Sequence, residues 1–120
     1  MNILIVDDSK AMRMIVRRTL RQAGFGDAGL TEAENGREAL ESIHASEPDL
    51  VLCDWNMPEM TGIDLLEALR GEGNELRFGF VTSEGTAEMR ARGIAAGAAF
   101  FITKPFTADA FTDALGALNS

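Results

Sequence analysis

An α/β fold with a doubly wound, five-stranded parallel sheet follows from three features of the sequence. Apolar runs of strand length alternate along the chain with segments of helical period, which implies successive βαβ units. Two of the runs, "ILIVD" (3–7) and "DLVLCD" (49–54), stay apolar without alternation until an acid ends them, as strands covered on both faces do. The 120 residues, 46% hydrophobic and 25% charged, suffice for one ordinary globular core and not for two, so a single domain over 1–120 is expected.

The first strand is "ILIVD", after which Ser9 is placed to cap a helix. From Lys10 to Gly24, Met12, Ile15, Val16, Thr19, Leu20 and Ala23 recur at helical spacing and predict the buried stripe, with Gly24 ending the helix. "AGLTEAE" (28–34) is a second strand with a weaker pattern. A second helix runs from about Gly36 to Ser46, burying Ala39, Leu40 and Ile43, and Pro48 stops it. "DLVLCD" is the third strand. "TGIDLLEALR" opens a third helix, with Thr61 as cap, Asp64 three residues on, and Leu65, Leu66 and Leu69 inward. "LRFGFVT" (76–82) is a fourth strand, and Ser83 would cap a glycine-softened helix from Glu84 to about Ala96. "AFFIT" (99–103) is the fifth strand. The last helix, capped by Thr107, carries Phe111, Leu115 and Leu118 on one face.

Charge and cysteine content narrow the partners. With 19 acids against 11 bases the net charge is -8, which disfavours binding to a phosphate backbone, so nucleic acid is not an expected partner. One cysteine, Cys53, cannot form an internal disulfide, and acids follow the first six residues, so neither signal peptide nor membrane segment is read; a cytoplasmic protein is expected.

In an open parallel sheet, ligands sit beyond the carboxyl ends of the strands. There the chain places Asp7 and Asp8, Asp54, Thr82 and Ser83, and Lys104 and Pro105. Three clustered carboxylates repel one another unless a cation lies between them, and Mg²⁺ takes carboxylates, carbonyls and waters in octahedral array. A carboxylate can also be the nucleophile that accepts a phosphoryl group, with Lys104 and a metal neutralising the transferred oxygens.

The segments "DD" (7–8), "DWNMPEMTG" (54–62), "VTSE" (81–84) and "TKPF" (103–106) resemble the receiver domains of two-component response regulators, especially the chemotaxis type, over the whole chain. The resemblance implies a flavodoxin-like (βα)5 fold with strand order 2-1-3-4-5 and no output domain. It implies that Asp54 is the phosphoacceptor, that Asp8 ligates Mg²⁺ directly, that Asp7 holds a metal-bound water, and that Asn56 offers its backbone carbonyl. Lys104 and Thr82 would contact phosphoryl oxygens, Phe101 would be the aromatic that moves inward with Thr82, and the Lys104–Pro105 bond would be cis. The close relatives carry Tyr where this chain has Phe101, so a hydroxyl for outward hydrogen bonding is missing. A histidine kinase or histidine phosphotransfer domain would donate the phosphoryl group. Output would run through a downstream protein, by the family's example on the face of the fourth and fifth helices and fifth strand, in chemotaxis or a related pathway.

Each residue also has a plainer reading. Asp54 could cap a turn, Asp7 and Asp8 could favour the first helix dipole, and Lys104-Pro105 could be only a turn. Cys53 reads as a small buried hydrophobe, His44 as solvent-facing, and Trp55 as a surface reporter of metal beside Asp54. Lys10, Arg13, Arg17, Arg18 and Arg21 crowd the first helix, with 13, 17 and 21 on one stripe, either as a solvated face or as a dock for an acidic partner. Three functions compete with a stand-alone receiver: a phosphorelay intermediate, an Asp-nucleophile phosphatase of the haloacid dehalogenase type, and a flavodoxin-like cofactor binder. Asn56 stands where the phosphatases carry a second Asp, and no Ser/Thr-rich phosphate loop follows the first strand.

Overall fold

The computed structural model describes residues 1–118. Five strands, β1 (Asn2–Val6), β2 (Gly29–Ala33), β3 (Leu50–Cys53), β4 (Arg77–Thr82) and β5 (Phe100–Thr103), form one parallel sheet in the order β2-β1-β3-β4-β5. The helices between and after them are α1 (Lys10–Leu20), α2 (Gly36–Ala45), α3 (Gly62–Gly71), α4 (Ala87–Ala95) and α5 (Ala108–Leu118). A π-helical turn, Arg21–Phe25, extends α1, and within it Gly24 takes φ +98°.

The pleat sorts the core into two layers. Leu4, Val6, Val51, Cys53, Phe78 and Phe80 point to the side covered by α2 and α3, where they meet Ala39, Ile43, Leu65, Leu66 and Leu69. Ile3, Ile5, Leu50, Leu52, Val81 and Ile102 point the other way, against Val16 and Leu20 of α1 and Phe111 and Leu115 of α5. Burial on both faces is why β1 from Ile3 onward and all of β3 are apolar. Each such Leu, Ile or Phe contributes roughly 1.5–3 kcal/mol relative to exposure.

Capping follows the sequence at Ser9, whose hydroxyl accepts from the Met12 N–H, and at Thr61, which accepts from Asp64. At α4 the expectation fails: Thr86, not Ser83, accepts from the Met89 N–H, and the helix starts at Ala87. The reason lies upstream, since the Glu84 N–H is held by the Thr82 hydroxyl at 3.3 Å, which keeps the chain in a turn beyond β4.

The stripe expected on α1 faces inward at Val16, Thr19 and Leu20, with Met12 and Ala23 partly buried, and departs at one position. Ile15, read as inward, is exposed, whereas Arg13 is 6% exposed. The Arg13 guanidinium donates to the Asp7 carbonyl at 2.6 Å and to Glu32 at 2.8 Å, so its charge is paired as it is buried. Arg17 reaches the same Glu32 at 3.1 Å. Two members of the cationic stripe are therefore tied to β2, leaving Arg21 exposed on it. His44 is exposed and lies 2.7 Å from Glu72, across α2 and α3. Among the described residues no helix is long and apolar enough to cross a membrane.

Candidate functional site

Because β1 and β3 are neighbours and β3, β4 and β5 follow in order, the strand ends put Asp7, Asp54, Thr82 and Lys104 side by side. The ladder runs one residue past each strand and fixes their heights. The Asp54 N–H donates to the Val6 carbonyl at 2.9 Å, the Asp7 N–H to Ala33 at 3.2 Å, and the Lys104 N–H to Thr82 at 2.9 Å.

Asp7, Asp8 and Asp54 each place one carboxylate oxygen within 4.8 Å of the others. Asp7 is buried, Asp54 half-buried and Asp8 exposed, so the cluster opens to solvent on the Asp8 side. The Lys104 ammonium lies 2.9 Å from Asp7 Oδ2 and 3.6 Å from Asp54 Oδ2. The Lys104–Pro105 bond is cis. Asp7 Oδ1 accepts from the Ser9 N–H at 2.9 Å, and Asp54 Oδ1 from the Trp55 N–H at 2.8 Å. The carboxylates are thus oriented by backbone donors and not by chance.

Three carboxylates and one ammonium leave the cluster with a charge of -2 when all are ionised. Burial pushes the Asp54 pKa up; Lys104 opposes this, Asp7 adds to it, and the Trp55 N–H and Thr82 hydroxyl oppose it more weakly. A hard divalent cation fits such a donor set. Two oxygens on one Mg²⁺ are separated by at most about 4.2 Å, a small side-chain movement from the 4.8 Å envelope.

The loop after Asp54 is held close. The Gly62 N–H donates to the Trp55 carbonyl at 2.9 Å, and a Cβ at Gly62 would run into the Asp54 carbonyl oxygen, so no larger residue fits there. Asn56 is exposed on this loop, and among the described residues no hydrogen bond or ion pair ties it to the cluster. Thr82 is buried, and Phe101 is half-buried on β5.

Trp55 is not on the surface: it is 8% exposed, with its ring 4.9 Å from Phe80 and 6.2 Å from Phe101. The loop turns its indole back onto the β4–β5 aromatics, because a ring of that size adds more by burial than by exposure. Cys53 is fully buried, and burial pushes its thiol pKa well up, with the neighbouring carboxylates Asp54 and Asp7 adding to that. Sequence reasoning missed Arg13 and Glu32, which brace the Asp7 backbone from below. A basic residue on an otherwise solvated-looking helix gave no signal of that role.

The family model described as "Response regulator receiver domain" matches residues 3–116. The chain is 42% identical over 110 residues to the chemotaxis protein CheY of Pseudomonas aeruginosa, covering 90% of this chain and 87% of that protein. It is 39% identical to CheY1 of Helicobacter pylori, over 89% and 87%. Among solved structures, chemotaxis protein CheY4 of Vibrio cholerae superposes with a TM-score of 0.84 at 32% identity, covering 97% of this chain and 96% of that one. The receiver domain of the Francisella response regulator 1452 gives 0.85 at 27%, covering 98% and 94%.

Proposed function

The chain belongs to the response regulator receiver family, whose members are phosphoacceptor signalling domains that bind Mg²⁺ at clustered aspartates, and from that premise we propose that Asp54 accepts a phosphoryl group from a partner's phosphohistidine. The observation that carries this is the convergence of Asp7, Asp8 and Asp54 with the Lys104 ammonium between two of them.

With Oδ1 held by the Trp55 N–H, the attack on phosphorus falls to Asp54 Oδ2. The P–N bond to the donor imidazole breaks as the P–O bond forms, and an aspartyl phosphate results. Burial makes this carboxylate more basic and so a better nucleophile. Lys104, 3.6 Å from Oδ2, is within reach of an oxygen of the arriving group and holds its charge. Thr82 offers its hydroxyl to another. Asp8 would ligate Mg²⁺ directly, with Asp54 and the Asn56 carbonyl, and Asp7 would hold a bound water. The metal, when bound, supplies charge neutralisation on the transferring oxygens. Water later hydrolyses the acyl phosphate and resets the site.

Thr82 and Phe101 form the switch in this reading: the hydroxyl moves toward the phosphoryl group and shifts the packing around the Phe101 ring, changing the α4–β5–α5 surface that a downstream protein reads. The pathway is chemotaxis or one like it, in a cytoplasmic setting, with a histidine kinase or histidine phosphotransfer domain as donor. Incubation with acetyl phosphate and Mg²⁺, followed by intact mass spectrometry, tests the proposal. One phosphoryl group per chain, lost on Asp54→Asn, is expected; equal labelling of the Asn variant, or none of the wild type, refutes it.

A further inference from the structure

Two residues of α4 that the chemistry above does not use meet the Phe101 ring. Gly93 leaves it room: a Cβ built there would stand 2.5 Å from Phe101 Cζ and 2.9 Å from Cε1, so the ring occupies the space any other residue would fill. Arg90 covers it, with its guanidinium over the ring at 5.2 Å from the centroid. That guanidinium is fixed at both ends, donating 3.2 Å to the Gly85 carbonyl and 3.0 Å to the Thr103 hydroxyl. Gly85 lies on the loop that leaves Thr82, and Thr103 precedes Lys104, so Arg90 ties together the two strand ends that flank the site.

Inside, the ring stacks on Phe80 at 5.0 Å with planes 27° apart, and Trp55 lies 6.2 Å away. Phe101 has no hydroxyl to draw it toward water, so an outward rotamer would expose apolar ring without a polar contact in return. We propose that Gly93 and Arg90 are positioning residues that hold Phe101 inward in the chain before any phosphoryl group arrives, so that packing against α4 sets the position of the ring. The proposal rests on the reading of Thr82 and Phe101 as the switch. Phosphoryl transfer at Asp54 then moves the ring little, and α4 and the Thr82 loop carry most of the change.

The test uses the full chain without metal or phosphodonor. Nuclear Overhauser contacts between the Trp55 indole and the Phe101 ring report the inward state, and acrylamide quenching of the single Trp reports its cover. Strong contacts are expected in the wild type. Gly93→Ala should lose them and quench more readily, because its methyl claims the ring's space. Arg90→Leu keeps bulk and loses the cation, which should raise the outward population about fivefold. Arg90→Lys should restore most of the inward population, a rescue that mere packing would not produce. Amide spectra of the strands check folding, and if Gly93→Ala fails to fold, the Arg90 pair decides. Absent Trp55–Phe101 contacts in the wild type, or an Arg90→Leu spectrum identical to wild type, overturns the proposal. Acetyl phosphate labelling of the same samples separates the two readings. Failure to label with the ring contacts intact sinks phosphoacceptance alone; normal labelling with ring contacts insensitive to Arg90 sinks the positioning role alone.

Discussion

Replacing Lys104 by Met removes the ammonium that faces Asp7 and Asp54 and keeps nearly the same side-chain length. At an effective dielectric constant of about 20, contacts of 2.9 and 3.6 Å are worth roughly 6 and 5 kcal/mol of attraction before desolvation. Dehydrating the ammonium offsets much of that. What remains in the variant is a buried Asp7 and a half-buried Asp54 with no cation between them, and breaking a buried pair in this way costs about 3–5 kcal/mol. For a chain of this size that corresponds to a fall in Tm of roughly 10–20 °C. Urea denaturation of metal-free protein at neutral pH measures it. Two further arms identify the cause. Asp7→Asn in the Lys104→Met background should recover part of the loss, because the orphaned charge is gone, giving a coupling of about 1–3 kcal/mol. Mg²⁺ should stabilise Lys104→Met more than wild type, because a cation then replaces the missing ammonium. A loss under about 1 kcal/mol, additive with Asp7→Asn and indifferent to Mg²⁺, would refute the view that this ammonium holds the acids together.

In wild type, Mg²⁺ at about 100 times its dissociation constant should stabilise the fold by about 2.7 kcal/mol, and Asp8→Ala should abolish the rise in Tm; a variant that responds like wild type removes Asp8 from the ligand set. Mg²⁺ should also change Trp55 emission, since the Trp55 N–H is bound to Asp54 Oδ1, and a flat titration at millimolar metal would count against the site. The Asp54 pKa is raised in the fold, so its stability contribution is full below the unfolded value of 3.8 and is lost as pH rises through the folded value. Metal-free Asp54→Asn should therefore match wild type at low pH and exceed it in stability at pH 7, as denaturant midpoints at the two pH values would reveal. Phe78→Ala, at a fully buried ring, should cost about 3–5 kcal/mol by the same measurement, and a loss below 1 kcal/mol would contradict the packing described.

Strand and helix identities, and the placing of Asp7, Asp8, Asp54, Thr82 and Lys104 at strand ends, were legible in the sequence. They depend on local periodicity and on where apolar runs stop, which neighbours along the chain specify. Tertiary packing alone decided the rest. On α1 it decided the places of two residues: Glu32 of β2 and the Asp7 carbonyl gave buried Arg13 its partners, and Ile15 lies outside. Trp55 was drawn under by Phe80 and Phe101, contributed by strands more than twenty residues away. The distance from Lys104 to Asp7 likewise depends on β5 closing against β4 at the far side of the sheet from β2. Periodicity says which residues are buried or exposed within one element, but a charge or a ring takes its final place from partners that only the folded sheet brings near.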